Sequence, residues 1–221
     1  MAAIPIRQIK HIFLTHAHTD HILGMVWMIR KIASMMLTGS YCGNCMIYCH
    51  EEAKEALLGI CKLTLASKFL NCIGERIVVQ RVTDGEKVQV MDMSVQFFDI
   101  GSAKMKQFGF SAMIEDKKLT CLGDEPYYAC ERPYAEKSDY LLCEAFCLDA
   151  DKEVFKPYEK HHSTALDEGK LAQTLSVRNL ILYHTEDSNL SKRKQEYTKE
   201  AAQNFTGNIF VPDDLDRISI T

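Results

Sequence analysis

The chain has 221 residues, a length that predicts one domain over residues 1–221. Hydrophobic residues make up 47% and charged residues 25%, which excludes a disordered or fibrous chain. The net charge of −4 offers no bulk attraction to nucleic acid, and no apolar run is long enough to span a bilayer, so no membrane partner is expected. The nine cysteines are odd in number, and the first residues lack the basic start and apolar stretch of an export signal. Reduced thiols and a cytoplasmic location follow as expectations.

In chain order, residues 9–15 are apolar and β-prone and read as a buried strand. Residues 22–37 are apolar and Met-rich, end before Gly39 and read as a helix, with Trp27 and Met25, Met28, Met35 and Met36 expected in the core. A short strand over 46–49 and a helix over 51–63 follow. Strands are predicted over 76–82, 87–90 and 94–100. Residues 109–114 and 118–122 pair as a hairpin across Glu115-Asp116-Lys117. A strand over 139–146, a helix over 165–176, a strand over 179–183 and a helix over 192–205 come next. Strands over 209–211 and 217–220 close the chain. Helices alternating with strands at both ends of a β-rich middle predict an α/β (α+β) fold in which helices cover sheets.

Thr15-His16-Ala17-His18-Thr19-Asp20-His21 directly follows the first strand and opens the first helix. A shuffled chain of this composition would contain His-x-His-x-Asp-His with a chance of roughly 6 in ten thousand. The spacing has a physical reason. On an extended segment residues two apart point the same way, so His16 and His18 can grip one ion. Asp20 and His21, where the chain turns into the helix, can face a neighbouring ion. Imidazole with carboxylate suits Zn²⁺, with Mn²⁺ or Fe as alternatives.

This segment resembles the signature of the metallo-β-lactamase superfamily, and other segments agree with it in order. Leu122-Gly123-Asp124 ends a predicted strand and resembles that family's metal-bridging aspartate segment. Leu180-Ile181-Leu182-Tyr183-His184 resembles the strand that carries its last metal histidine. Asp139-Tyr140-Leu141-Leu142-Cys143-Glu144-Ala145 and His162-Ser163-Thr164 are similar to segments of the ribonuclease Z branch. The resemblance implies a four-layer αββα sandwich, here lacking some N-terminal strands. It implies that His16, His18 and Asp124 hold one metal, and that Asp20, His21, Asp124 and His184 hold another. Asp20 would also orient the attacking water, and His162, or its neighbour His161, would assist the leaving oxygen. The implied activity is a metal-dependent phosphodiesterase acting on a small phosphodiester or an RNA 3′ end.

Two departures keep other readings open. No histidine lies between His50 and His161, where the family supplies a further ligand near residues 101–102, so Asp99, Ser102 or water is left to fill that place. Only 15 residues precede His16, which predicts an uncovered sheet edge and hence a homodimer or reduced stability. A metal-binding scaffold with little turnover and a thioester or lactone hydrolase stand as alternatives. Cys42-Gly43-Asn44-Cys45, with Cys49, reads as core or loop thiols rather than a zinc site. The run Lys192-Arg193-Lys194 reads as a solvated helix face.

Overall fold

In a computed structural model that describes residues 4–188 and 190–221, the chain divides into two units. One holds the chain up to Glu86 together with Ser102–Phe108. The other holds Lys87–Gly101 and Gly109–Thr221.

In the first unit β1 (His11–Phe13), β2 (Cys45–Cys49) and β3 (Ile77–Arg81) form a parallel sheet in that order. Parallel neighbours need crossovers. Helix α1 (Thr19–Leu37) joins β1 to β2, and α2 (Glu51–Thr64) with the single turn α3 (Ser67–Leu70) joins β2 to β3. In α1 the residues Ile22, Met25, Val26, Ile29, Ile32, Ala33 and Met36 recur every three or four positions and are all buried. They pack with Cys45, Ile47 and Cys49 of β2 and with Ile77 and Val79 of β3. The helix stops at Gly39, whose φ of +72° lets its N–H bond back to Met36 O. Trp27 departs from the core expectation. It is 66% exposed, because residue 27 lies on the face of α1 opposite Ile22, Ile29 and Ile32.

The described residues of the second unit form a seven-stranded sheet in the order β10-β9-β8-β7-β6-β5-β4. β4 (Lys87–Val90) and β5 (Met93–Asp99) are an antiparallel hairpin, as are β6 (Phe108–Ile114) and β7 (Lys117–Cys121). The second hairpin turns on Glu115-Asp116 alone. Glu115 takes a φ of +53° and Lys117 already pairs with Ile114, one residue tighter than the sequence suggests. β8 (Tyr140–Glu144), β9 (Asn179–Tyr183) and β10 (Asn208–Phe210) then add in parallel. The single turns α4 (Arg132–Ala135) and α5 (Lys152–Phe155) flank β8, and the longer α6 (Ala165–Thr174) and α7 (Leu190–Ala201) supply the later crossovers. Leu141, Leu180, Leu182, Ala172, Tyr197 and Phe205 share one core.

Two expectations about this unit change. Residues 217–220 form no strand. Ser219 and Thr221 bond through their backbone to the Tyr140 hydroxyl instead of joining a ladder. Arg193 and Lys194 are not merely solvated. Arg193 donates to Thr185 Oγ1, Pro212 O and Asp213, and Lys194 pairs with Asp213 and Asp216.

Glu131 is fully buried, and its Oε2 accepts the Tyr128 N–H at 2.7 Å. Burial pushes its pKa from the ordinary 4.5 up to about 9. Unfolded chains therefore release this proton near pH 4.5 and folded chains near pH 9, so the group makes stability fall as pH rises between those values. Glu131→Gln is expected to raise Tm by a few degrees near pH 8 and to change it little near pH 5, at about 2–4 °C per kcal/mol for a chain of this size. Equal shifts at both pH values would rule out that origin. Ile29→Ala, at a site with no exposure, is expected to cost about 2–5 kcal/mol in denaturant unfolding. Leu37→Ala, at an exposed site, is expected to stay within about 0.5 kcal/mol of the parent.

Candidate metal centre

β1 ends at Phe13, and the chain stays extended until His18, which caps the N-terminus of α1 with φ −61° and ψ 152°. His18 O then receives the N–H groups of His21 and Ile22, and the helix is under way. On the extended stretch His16 and His18 point the same way, with His16 Nε2 2.8 Å from His18 Nδ1. Two ring nitrogens this close either share one proton or face one cation. The other nitrogen of His16 is hydrogen-bonded to Thr15 Oγ1 at 2.9 Å, which fixes the ring that carries it. His16 is fully buried. The His21 ring lies 4.2 Å from the His16 ring, centre to centre. Asp20 sits in the first turn of α1, where the helix dipole favours a carboxylate, and its side chain is 62% exposed. The four residues singled out in the sequence thus converge at the start of one helix.

In the second unit the parallel strands β7, β8 and β9 deliver their following residues to one edge. After β7 the chain turns at Gly123 (φ +88°), a backbone state that suits a residue without Cβ, and presents Asp124. After β9 comes His184, itself at φ +53°. Its Nε2 is 3.8 Å from Asp124 Oδ2. The Tyr183 hydroxyl donates to Gly123 O and ties the two turns together.

Glu144 ends β8, and His162 precedes α6. His162 Nδ1 is 3.5 Å from Glu144 Oε2, and its ring stacks on Phe146. Glu144 Oε1 accepts the Ser163 N–H at 2.6 Å and the Ser163 hydroxyl at 2.8 Å. Thr164 caps α6 through a reciprocal pair of bonds with Asp167. His162-Ser163-Thr164 therefore works as a unit in which Thr164 starts the helix, Ser163 grips Glu144, and His162 faces the same carboxylate. Ligand atoms of Glu144, His162 and His184 lie within 4.8 Å of one another. His161 is exposed, so His162 is the member of that pair that joins the group. Glu168 lies behind it, and burial together with the Glu144 charge raises its pKa to about 8.

The sequence offered Glu144 only as part of a strand motif. Its pairing with His162 was readable there in the strand-end position of the one and the helix-start position of the other, but not as a contact. Asp99 and Ser102, the candidates for the missing histidine's place, serve their own turns. Asp99 Oδ1 accepts the Gly101 N–H, and Ser102 Oγ accepts those of Lys104 and Met105. Asp99 belongs to no group of convergent His, Cys, Asp or Glu ligands among the described residues.

Cys45 and Cys49 behave as core thiols, while Cys42 is exposed in the loop before β2. Cys45 and Cys49 are buried, and burial pushes Cys49 up to about 12, so neither offers a thiolate. His50 caps α2, and His11 bonds to the Tyr48 hydroxyl.

Each unit thus brings together imidazole nitrogens and, in the second, carboxylate oxygens held by neutral partners. That donor set fits a divalent cation of the zinc or manganese type.

A family model described as "Beta-lactamase superfamily domain" matches residues 2–185. The chain is 33% identical to the ribonuclease Z of Thermobifida fusca (strain YX) over 39% of its own length. That match spans only 26% of the relative. It is 22% identical to the ribonuclease Z of Bacillus mycoides (strain KBAB4) over 94% of its length and 80% of the relative. The crystal structure of the metallo-beta-lactamase fold protein YhfI from Bacillus subtilis superposes with a TM-score of 0.73 at 16% identity. It covers 95% of this chain and 77% of that one, which shows a shared fold.

An ion that binds only the folded chain stabilises it, by about 2.7 kcal/mol at a hundredfold excess over Kd. Chain purified without chelators is expected to contain divalent metal by elemental analysis, and EDTA is expected to lower its Tm. No metal, and a Tm that neither EDTA nor added Zn²⁺ moves, would exclude a metal centre.

Proposed function

The chain belongs to the beta-lactamase superfamily and has its hydrolase fold, and on that premise we propose a metal-dependent phosphodiesterase of the ribonuclease Z type. Its substrate is a small phosphodiester or an RNA 3′ end, and residues 1–221 act as one catalytic domain. The proposed ligands are His16, His18 and Asp124 for one ion, and Asp20, His21, Asp124 and His184 for the other. The support is the ordered set of motifs, together with the convergence of His16 with His18 and of Asp124 with His184. Zn²⁺ suits these donors, with Mn²⁺ or Fe as alternatives. A bound ion supplies a Lewis acid that lowers the pKa of water and offsets charge on the phosphodiester.

The observation that carries the reading is the Glu144–His162 pair beside His184. A phosphodiester leaves as an alkoxide, which needs a proton. The Glu144 carboxylate lies 3.5 Å from His162 Nδ1, and Ser163 holds that carboxylate in place. His162 then donates the proton to the leaving oxygen. Asp20, exposed at the helix start, orients the incoming water. Among the described residues no helix is long and apolar enough to cross a membrane.

The missing histidine between His50 and His161 supports a second reading, a metal-binding scaffold with little turnover. Hydrolysis of bis(p-nitrophenyl) phosphate with Zn²⁺ or Mn²⁺ separates the two. Turnover that Asp124→Ala abolishes supports the phosphodiesterase, and no turnover in the presence of bound metal supports the scaffold. A thioester and lactone panel tests the remaining alternative. The role of His162 has its own signature. p-Nitrophenolate leaves without a proton, whereas an RNA 3′ hydroxyl does not. His162→Ala is expected to slow cleavage of a short RNA by about 10²–10⁴-fold and that of the nitrophenyl ester far less. Equal losses on both substrates would rule out the proton-donor role.

A further inference from the structure

Trp27 is the chain's one tryptophan, and it is 66% exposed on α1. Leu23, one turn earlier on the same face, is 47% exposed. The Arg30 guanidinium lies 5.2 Å from the Trp27 ring centre and 5.7 Å from that of Phe69 on α3. Lys68 Nζ lies 5.1 Å from the Phe69 ring. Two aromatic rings and two cations thus alternate across one surface, with Lys31 exposed beside Arg30. None of Arg30, Lys31 and Lys68 forms an ion pair among the described residues. The sequence explains why. Residues 21–50 and 56–74 contain no aspartate or glutamate, although the whole chain carries a net charge of −4. The acids needed to neutralise this surface are not on it.

Trp27 is exposed and Phe69 half-buried against the core, and an exposed ring beside cations supplies the two components of a single-strand nucleic-acid platform. Bases stack on the rings, and phosphates lie against the cations. A purely apolar partner would leave three charges desolvated without counter-ions. We propose that the Trp27–Arg30–Phe69–Lys68 surface binds single-stranded RNA, with a base stacked on Trp27 and the backbone along Arg30, Lys31 and Lys68. The choice of RNA rests on the proposed function. The surface itself shares no residue with the candidate metal ligands.

Because Trp27 is the one tryptophan, its fluorescence reports on this surface alone. The chain is titrated with a short oligoadenylate in EDTA, so that binding is read without hydrolysis. Quenching of the emission is expected, with an affinity that falls as salt rises. With end-labelled RNA and fluorescence anisotropy, Trp27→Ala is expected to weaken binding about tenfold or more. The double variant R30E/K68E is expected to weaken it at least as much. All three positions are on the surface, so the variants should melt like the parent. Inorganic polyphosphate competing as well as RNA of equal charge would overturn the proposal by leaving stacking no part. A dimer in sedimentation velocity that Trp27→Ala converts to monomer, with RNA binding unchanged, would overturn it in favour of a second copy. Persistence of phosphodiesterase activity in Trp27→Ala, with loss of RNA binding, separates this surface from the catalytic reading. Loss of nitrophenyl ester hydrolysis in Asp124→Ala, with RNA binding retained, separates them in the other direction.

Discussion

Backbone hydrogen bonds across β7, β8 and β9 set Cys121 beside Leu142, Leu142 beside Ile181 and Glu144 beside Tyr183. Parallel pairing runs the three strands out in one direction, so the residues that follow them emerge at one edge. Asp124, Glu144 and His184 owe their proximity to that register. A slip of one residue would turn each strand's side chains to the opposite face and separate the group. Crossovers between parallel strands demand helices, and one of them, α6, brings His162, Ser163 and Thr164 to the same edge at its N-terminus.

Burying carboxylates at such an edge is costly unless they are paired or hydrogen-bonded. The second unit meets that cost in two ways. Glu144 is surrounded by donors, with two hydrogen bonds from Ser163 and the His162 ring alongside. Glu131 and Glu168 lie deeper, and burial raises them to about 9 and about 8, so both are neutral at ordinary pH. Glu144 is thus held where it faces an imidazole, while the two deeper acids lose their charge to the interior.

The first unit solves a different problem. His16 and His18 sit on the five residues between β1 and α1, where period-two geometry aims alternate side chains together. The helix that follows has its inner face in the core and leaves Trp27 and Arg30 outside. One helix therefore supports the imidazole cluster at its start and offers a second, chemically distinct surface along its outer side.

The local elements were legible in the residues themselves. The His16–His21 segment, the apolar period of α1 and the strand over 179–183 each follow from a few neighbouring side chains and backbone geometry. So did the inert character of Cys45 and Cys49, which sit in apolar stretches. What the sequence left open depended on partners far along the chain. Trp27 lies within the apolar run of α1 but on the face opposite its core residues, and the packing of that helix leaves it outward. The strand expected over 217–220 had the right composition, but its backbone groups found the Tyr140 hydroxyl, some eighty positions away. Arg193 and Lys194 looked solvated until the chain beyond β10 returned Asp213 and Asp216 to them. Glu144 and His162 are nearly twenty residues apart, and their pairing exists only because a parallel strand and a helix start meet at one edge. Short-range sterics and hydrophobic period are written in the sequence, whereas which polar groups meet is decided by strand register and chain return, which no local pattern contains.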